Sequence, residues 1–210
     1  MNYWRNLMKI TDYFRKINLS TEVIAIIISV ISLLVSAIGF YMSSLRSPDL
    51  NFVIAPYVKH VVDNASLNEA FFVPLTVINR GAKAGTVLSF DLKVTYLANG
   101  ETRTYYGQYF TQENSQTDLG DFFTPITLNG YSSTSSTICF YPLGSSQGNL
   151  LFGPGVYEFE VTAEVSNVKD EEPTIIKDVF QITVDENMKN VMQKQPDGEY
   201  LYPLPIESIN

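Results

Sequence analysis

The pentapeptide Gly144-Ser145-Ser146-Gln147-Gly148 has the spacing of a serine nucleophile, G-x-S-x-G. That motif functions on a sharp turn between a strand and a long helix, with a histidine later in the chain. Here Gly153-Pro154 follows within a few residues and leaves no room for such a helix. The chain has one histidine, His60, and it precedes the serine. The pattern therefore indicates a flexible loop, and the sequence predicts no catalytic residue.

Metal binding has equally little support in the spacing of the ligand-type residues. His60 has no second histidine with which to share a zinc ion, and Cys139 is the only cysteine. Carboxylates at Asp118, Asp121 and 170–172 could hold calcium, but their spacing is not that of a calcium loop and is typical of solvated turns. We predict no metal, no cofactor and no small-molecule substrate, and hence a protein that is not an enzyme.

Charge is unevenly distributed along the chain. Residues 1–22 contain four Lys or Arg against two Asp or Glu, whereas residues 45–210 contain ten against twenty. An acidic domain repels phosphate backbones, so nucleic-acid binding is not expected. The single cysteine, Cys139, lies in the strand-like stretch TICFYP and is interpreted as a small buried apolar residue.

One segment is long and apolar enough to cross a membrane. No charged residue occurs from Val23 to Met42, and twenty residues of helix span about 30 Å, the thickness of a bilayer's hydrocarbon core. We assign residues 23–44 to a transmembrane helix. The alternative is a cleavable signal peptide with a cleavage site at Val35-Ser36-Ala37, which would remove residues 1–37. The apolar run continues beyond that site, which favours an uncleaved anchor.

Small residues recur within this segment in steps of four and three, which average 3.5 and keep them on one face of a helix. They are Ala25, Ser29, Ser32, Ser36, Gly39 and Ser43. Small side chains allow the backbones of two membrane helices to approach closely. We predict that this face, called the small-residue face below, packs against a second copy or a partner's helix. The alternative is that the spacing arose by chance.

The stretch before the anchor, residues 1–22, is predicted to form an amphipathic helix lying on the membrane surface. Its proposed surface contacts are Trp4, Arg5, Lys9, Arg15 and Lys16. The alternative is a short helix packed on a partner protein.

Basic residues also predict the orientation of the chain. Four precede the span, whereas Arg46 and Lys59 follow it, which places the N-terminus in the cytoplasm. The large domain would then lie outside a bacterial inner membrane, with a cytoplasmic domain as the alternative.

After the anchor, short alternating runs are separated by Gly, Asn and Pro turns. Eight candidate strands are LNFVIAP, FFVPLTVIN, TVLSFDLKVTYL, TRTYYGQYF, PITLNG, STICFYP, VYEFEVTAEV and TIIKDVFQITV. Seven or eight short strands without intervening helices predict an all-β fold, an antiparallel β-sandwich of the immunoglobulin-like type, over residues 45–184. Residues 185–210 are assigned to a C-terminal tail that packs on its own domain or frays; the alternative is that its stretch LYPLPI docks in a groove or pairs with a sheet edge.

The stretch PLTVINRGAKAGTVLSFDLKVTYLANG resembles the strand–turn–strand of bacterial immunoglobulin-like modules of the CARDB kind. PITLNGYSSTSSTICFYP and GPGVYEFEVTAEV are similar to the remaining strands of that group. The resemblance covers residues 50–184 and also extends to uncharacterised single-pass bacterial proteins. It implies an immunoglobulin-like fold and a role in adhesion, assembly or scaffolding, without catalytic residues.

Together these features predict a membrane-anchored binding or assembly module, with membrane lipid and a second copy or a membrane protein as partners. The alternative is a regulatory or effector subunit of a membrane complex whose domain faces the cytoplasm.

Overall fold

The computed structural model describes residues 20–63, 68–111, 119–142, 153–166, 172–187, 202–205 and 207–208. It divides into two compact units, 1–46 and 47–210. The amphipathic helix predicted for residues 1–22, with Trp4, Arg5, Lys9, Arg15 and Lys16, lies outside the described residues except for its last three positions.

The first unit contains one long helix. Helix α1 spans Thr21–Phe40 and continues into a π-helical turn, Tyr41–Leu45. Every side chain from Thr21 to Leu45 is exposed, and this stretch is long and apolar enough to cross a membrane. The helix ends before Pro48, which has no backbone N–H to continue the ladder.

The second unit is built from twelve described strands. They are β1 (Leu50–Ile54), β2 (Tyr57–Asp63), β3 (Asn68–Asn79), β4 (Gly85–Tyr96), β5 (Glu101–Thr111), β6 (Leu119–Phe122), β7 (Ile126–Leu128), β8 (Ser132–Pro142), β9 (Gly155–Ser166), β10 (Thr174–Val184), β11 (Tyr202–Pro205) and β12 (Glu207–Ser208). Each of the eight predicted strands corresponds to one of these. The additional strands are β2, β6, β11 and β12.

All strand pairs are antiparallel and belong to a single sheet with the order β11-β2-β3-β8-β5-β4-β9-β10-β12. Strand β1 also pairs with β3, β6 with β5, and β7 with β4. Because β11 pairs with β2 and β12 pairs with β10, residues 202–208 connect the two ends of the sheet. The fold is therefore barrel-like rather than the predicted immunoglobulin-like sandwich.

Irregular positions in β4 and β5 are the physical reason for this curvature. The register of β4 against β9 shifts between Val87 and Ser89, and the register of β5 against β8 shifts between Gly107 and Tyr109. An extra residue in one strand bends it and increases its local twist, so one sheet can curl instead of splitting into two flat layers. At Gly107 a Cβ atom would lie 3.1 Å from the Phe90 carbonyl oxygen, so the bulge is closely packed.

Inside the curved sheet, aromatic rings from distant strands contact one another. Phe71 on β3 meets Tyr105 on β5 and Phe159 on β9 edge to face, with centroid distances of 4.9 and 5.4 Å. Phe159 in turn stacks on Phe180 of β10 at 5.2 Å. Since β3 and β9 are not neighbours in the sheet, these contacts cross the interior. Alternation along β9 buries every second residue from Tyr157 to Val165, which is the pattern of the alternating run VYEFEVTAEV.

The turn after β3 is hydrogen-bonded to the first residues of the domain. The buried Asn79 accepts hydrogen bonds at its Oδ1 from the backbone N–H groups of Asp49 (3.2 Å) and Gly81 (2.9 Å). Its Nδ2 donates to the carbonyl oxygens of Lys83 (2.8 Å) and Asn129 (3.0 Å). A Cβ at Gly81 would lie 2.0 Å from the Ser47 carbonyl oxygen, so only glycine fits there. This network fixes residues 47–49 to the barrel.

Candidate functional site

The small-residue face on α1 can be placed from the helix geometry. At 3.6 residues per turn, the positions from Ala25 to Gly39 fall within an arc of about 80°. Bulky residues occupy the rest of the circumference and are all exposed, among them Ile28, Ile31, Leu34 and Ile38. The predicted face is thus a continuous strip along the α-helical part of the segment.

The serine hydroxyls on this face donate hydrogen bonds within their own helix. Ser29 Oγ donates to the Ala25 carbonyl oxygen and Ser36 Oγ to the Ser32 carbonyl oxygen, each at 2.8 Å. An unpaired polar group is costly in lipid, but these hydroxyls already donate within their own helix and need no other acceptor. These two hydroxyl oxygens can still accept a bond from a neighbour, but their protons are already used.

The last member of the face lies in a different local structure. Ser43 is in the π-helical turn, and its Oγ donates to the Phe40 carbonyl oxygen at 3.2 Å. A π-helical turn holds more residues than an α-helical turn, so the spacing by which the face was predicted applies from Ala25 to Gly39 and shifts at Ser43. The π-helical turn closes with the Arg46 N–H donating to the Tyr41 carbonyl oxygen at 3.0 Å.

A buried polar cluster that the sequence analysis missed lies inside the barrel. His60 on β2, Glu69 on β3 and Tyr105 on β5 are at most 2% exposed. The Glu69 Oε2 atom lies 3.0 Å from His60 Nε2, and the Tyr105 hydroxyl donates to Glu69 Oε1. The His60 ring also stacks on Phe71, with a centroid distance of 4.8 Å. A buried carboxylate is costly without hydrogen bonds, and here Tyr105 donates to one oxygen while the His60 ring nitrogen lies within hydrogen-bond distance of the other.

The three side chains of this cluster form a hydrogen-bonded group inside the curved sheet. Burial, followed by the neighbouring Glu69 carboxylate, raises the pKa of Tyr105 far above its ordinary value, so the hydroxyl keeps its proton and remains a donor. None of the three side chains reaches solvent, where a substrate would have to enter. The available sequence signal was the alternation of β3, which places Glu69 on the same side as Phe71 and Val73.

Other candidate groups are placed as follows. Cys139 is fully buried, and burial raises the pKa of its thiol well above the ordinary value, as expected for an unreactive cysteine. The G-x-S-x-G stretch and the carboxylates of Asp118, Asp170 and Glu171 lie outside the described residues. Within the described part of the chain, no three His, Cys, Asp or Glu side chains are grouped so that they could hold a metal ion.

A groove of about 610 Å³ lies on the outer face of the sheet where β1 and β2 meet at Ala55-Pro56. In its floor, Thr76 on β3 is the register partner of Val53 on β1 and of Ser135 on β8. Pro74 on β3 and Thr137 on β8 form the next pair along the same two strands. The Thr76 and Ser135 hydroxyls lie 2.8 Å apart and bond to each other. This volume is in the range of ligand-binding clefts.

The groove differs in charge from the rest of the domain. Lys59 is the only charged side chain among its described lining residues, and the ring of Tyr57 stands beside it, 38% exposed. The domain beyond the helix is otherwise strongly acidic. The groove therefore combines hydroxyl groups, proline and tyrosine surfaces, and one cation.

On the opposite part of the sheet the outer face is acidic. Glu158, Glu160 and Glu164 project outward from β9, and Ser89 Oγ donates to Glu164 Oε2 at 3.2 Å. Partial burial, followed by the charge of Glu164, raises the pKa of Asp91 on the adjacent β4 above 3.8. Lys177 Nζ lies 3.3 Å from Glu160 and offsets part of the negative charge.

Comparisons with known proteins do not place the chain in a family. No protein-family model and no curated protein matches it. A Bordetella pertussis structure described as ApaA aligns with a TM-score of 0.42 at 13% identity, covering 67% of this chain and 98% of that one. An Archaeoglobus fulgidus protein aligns with a TM-score of 0.38 at 12% identity, covering 66% and 98%. At these scores neither alignment supports a statement about function.

Replacing Tyr105 by Phe tests the buried cluster. The substitution removes the hydroxyl that donates to Glu69 Oε1, so the buried carboxylate loses one hydrogen bond. We expect a loss of about 1–3 kcal/mol in the free energy of unfolding, measured by urea denaturation of the full chain in detergent micelles. The control is Tyr106→Phe, one position along β5. An equal loss in both variants would contradict a specific role for the cluster.

Replacing Asp91 by Asn tests the acidic face through its pH dependence. Because the folded pKa of Asp91 is raised, the folded state binds this proton more tightly than the unfolded state. Wild-type stability should therefore increase as pH falls through the folded pKa of Asp91. The variant should be more stable at pH 7, by less than about 1 kcal/mol for a partly exposed group, with the difference vanishing at low pH.

The matched control for that measurement is Asp178→Asn, an exposed aspartate on β10. Urea denaturation between pH 3 and 7 provides the comparison. A destabilised Asp91→Asn protein at pH 7 would show that the carboxylate stabilises the fold, opposite to the expected sign.

Proposed function

We propose that this protein is a single-pass membrane protein whose barrel-like domain binds or assembles with other proteins. The observation that carries the proposal is the pairing of one fully exposed apolar helical stretch, Thr21–Leu45, with a separately compact β domain. This arrangement is that of an anchor and the module that it holds.

The physical support for an anchor is length and exposure together. Twenty-five helical residues rise by about 37 Å, more than the roughly 30 Å of a bilayer's hydrocarbon core. Exposed side chains such as Leu33 (69%) and Val35 (64%) would be unfavourable in water and favourable against lipid. The segment carries Glu22 at its start and Arg46 just beyond its end, where both can reach the polar interface.

The small-residue face is the proposed contact for a second copy or for the helix of a membrane partner. In lipid, apolar side chains gain nothing by leaving the surrounding chains, so association depends on close backbone packing. Gly39 has no side chain, so the backbone of a neighbouring helix could approach most closely there. The internally bonded Ser29 and Ser36 permit the same approach without an unpaired donor.

For the domain, the groove at Ala55-Pro56 is the proposed contact surface for a partner. Its single cation, Lys59, stands within an acidic domain and favours a partner that carries a negative group at that position. The adhesion, assembly or scaffolding role implied by the resemblance to CARDB modules agrees with such a surface. No catalytic role is part of the proposal.

For orientation, we favour a cytoplasmic N-terminus and an extracytoplasmic domain in a bacterial inner membrane, because four basic residues precede the helix. The alternative is a cytoplasmic domain acting as a regulatory or effector subunit of a membrane complex. The two orientations differ in whether protease added to sealed cells reaches the domain.

The test of helix association replaces Ser32 and Ser36 together by Ile. Two branched side chains on the small-residue face should prevent close backbone approach, and we expect chemical crosslinking of the full-length protein in membranes to fall to background. The control is Leu34→Ile with Ile38→Leu on the opposite side of α1. Unchanged crosslinking in the Ser32→Ile/Ser36→Ile protein, at equal membrane levels, would contradict the proposed face.

A further inference from the structure

Three segments at one end of the barrel are held together by the buried Asn79. Its side chain bonds to the N–H group of Asp49 and to the carbonyl oxygens of Lys83 and Asn129. These bonds connect the first residues of the domain to the turn after β3 and to the turn before β8. Residues 47–49, 80–84 and 129–131 therefore form one connected surface, called the proximal turns below.

The proximal turns begin directly after the helical stretch. Ser47 follows Leu45 by two residues, so their Cα atoms lie at most about 7 Å apart, a limit that the covalent chain sets for any angle between helix and domain. The headgroup layer adds roughly 5–7 Å to each side of a bilayer's hydrocarbon core. In a protein anchored by Thr21–Leu45, the proximal turns therefore begin within reach of the lipid headgroups.

Charge distinguishes the proximal turns from the rest of the domain. They contain Arg80 and Lys83 against a single acidic residue, Asp49, and Arg46 directly precedes them. The chain from residue 45 onward carries ten Lys or Arg against twenty Asp or Glu. Arg80 is exposed and Lys83 is half-buried. Basic residues beside a membrane span attract anionic lipids, with a gain of about fivefold in the binding constant for each charge.

Tyr131 adds an aromatic ring to this surface in an unusual backbone conformation. Its φ angle is 54°, in the left-handed region that suits glycine or asparagine and is rare for a bulky side chain. The Tyr131 N–H donates to the Gly81 carbonyl oxygen at 2.9 Å. The residue is 54% exposed, so burial in the domain does not account for an aromatic side chain at a strained position. Such a ring suits the membrane interface, where tyrosine is enriched because it has an apolar body and a polar tip.

We propose that the proximal turns are a lipid-binding surface, and that their partner is the anionic headgroup layer of the membrane. Arg80 and Lys83 contact the phosphate groups, and the Tyr131 ring lies among the headgroups beside them. A lipid surface fits better than a protein partner, because the anchor keeps these residues next to the bilayer at a high effective concentration. This inference rests on the proposed function for one point, the anchor at Thr21–Leu45 that supplies the membrane.

The test uses the full-length chain in vesicles, with a fluorophore on one introduced cysteine. Ala84→Cys, an exposed position in the proximal turns, reports contact with the membrane. Thr102→Cys is the distant position, because its register partner Thr95 lies ten residues along β4 from Gly85, roughly 33 Å away. Cys139 is buried in both proteins and is not labelled. Quenching by lipid that carries a nitroxide on its headgroup then measures how often each fluorophore meets the surface.

Vesicles of pure phosphatidylcholine are compared with vesicles of two parts phosphatidylcholine to one part phosphatidylglycerol. We expect quenching at Ala84→Cys to rise strongly with phosphatidylglycerol, and quenching at Thr102→Cys to stay low. Arg80→Gln with Lys83→Gln should lower the equilibrium constant for contact by about 25-fold. Quenching at Ala84→Cys that is equal in the two lipid mixtures would overturn the proposal, because the anchor alone would then explain the proximity.

The matched control is Lys93→Gln with Lys177→Gln, two exposed lysines on β4 and β10. This protein loses the same charge and should keep its quenching at Ala84→Cys. An equal loss of quenching in the control would also overturn the proposal, since net charge would then be responsible instead of Arg80 and Lys83.

Tyr131→Asn separates a lipid contact from a structural role of the ring. Asparagine tolerates the left-handed region, so we expect the midpoint of urea denaturation in detergent micelles to stay the same or rise. Quenching at Ala84→Cys in the phosphatidylglycerol vesicles should fall. A lower midpoint with unchanged quenching would show that the ring only supports the fold, and would overturn its place in the lipid-binding surface.

Alkaline washing of the same vesicles separates this inference from the proposed function. A chain that stays with the lipid but shows no dependence on phosphatidylglycerol supports the anchor and overturns the lipid-binding surface. A chain that alkali releases, although its quenching before the wash depends on Arg80 and Lys83, supports the surface and contradicts the anchor.

Discussion

A helix without a charged side chain from Val23 to Met42 is unfavourable in water, and the function proposed for this protein depends on that constraint. Within the described residues, no side chain of Thr21–Leu45 is buried by the rest of the chain. Its apolar surface is therefore left for another partner to cover. The hydrocarbon core of a bilayer has the thickness that a helix of this length can span. The small-residue face can promote helix association only in lipid. There, burying apolar side chains does not favour association, so close packing of the two backbones decides it.

The domain that follows is a compact unit with its own buried interior. Aromatic contacts through Phe71 and Phe159 cross the barrel interior, and the Glu69 carboxylate is satisfied by His60 and Tyr105. The Asn79 network secures the first residues of the domain against the turn after β3. These contacts involve His60, Glu69 and Asn79, the buried polar residues of the described part of the chain, and they leave the outer groove as a surface that a partner can reach.

Much of the strand pattern could be predicted from the sequence, since alternation and turn residues mark β9 and β10 clearly. Strand β2 was missed because Lys59, His60 and Asp63 interrupt its apolar pattern, and β6, β11 and β12 because they are short. A barrel and a sandwich share the same alternation, so the pairing of β11 and β12 with the two ends of the sheet and the register shifts at Leu88 and Gln108 could not be predicted.

The candidate sites show the same division. Helical spacing alone predicts the face from Ala25 to Gly39, whereas the π-helical turn at Ser43 and the internal bonds of the serines depend on local backbone geometry. The cluster around Glu69 brings together three strands that are distant in sequence. A single carboxylate in the run NEAFFV carries no signal of that partnership by itself.

The most direct test of the central claim is alkaline extraction of membranes from cells that produce the full-length chain. This treatment releases proteins bound to the membrane surface and retains those whose helices cross the hydrocarbon core. The account predicts that the intact chain remains in the membrane pellet, because Thr21–Leu45, which is long and apolar enough to cross a bilayer, is proposed to be its anchor. Recovery of the chain in the soluble fraction would contradict it.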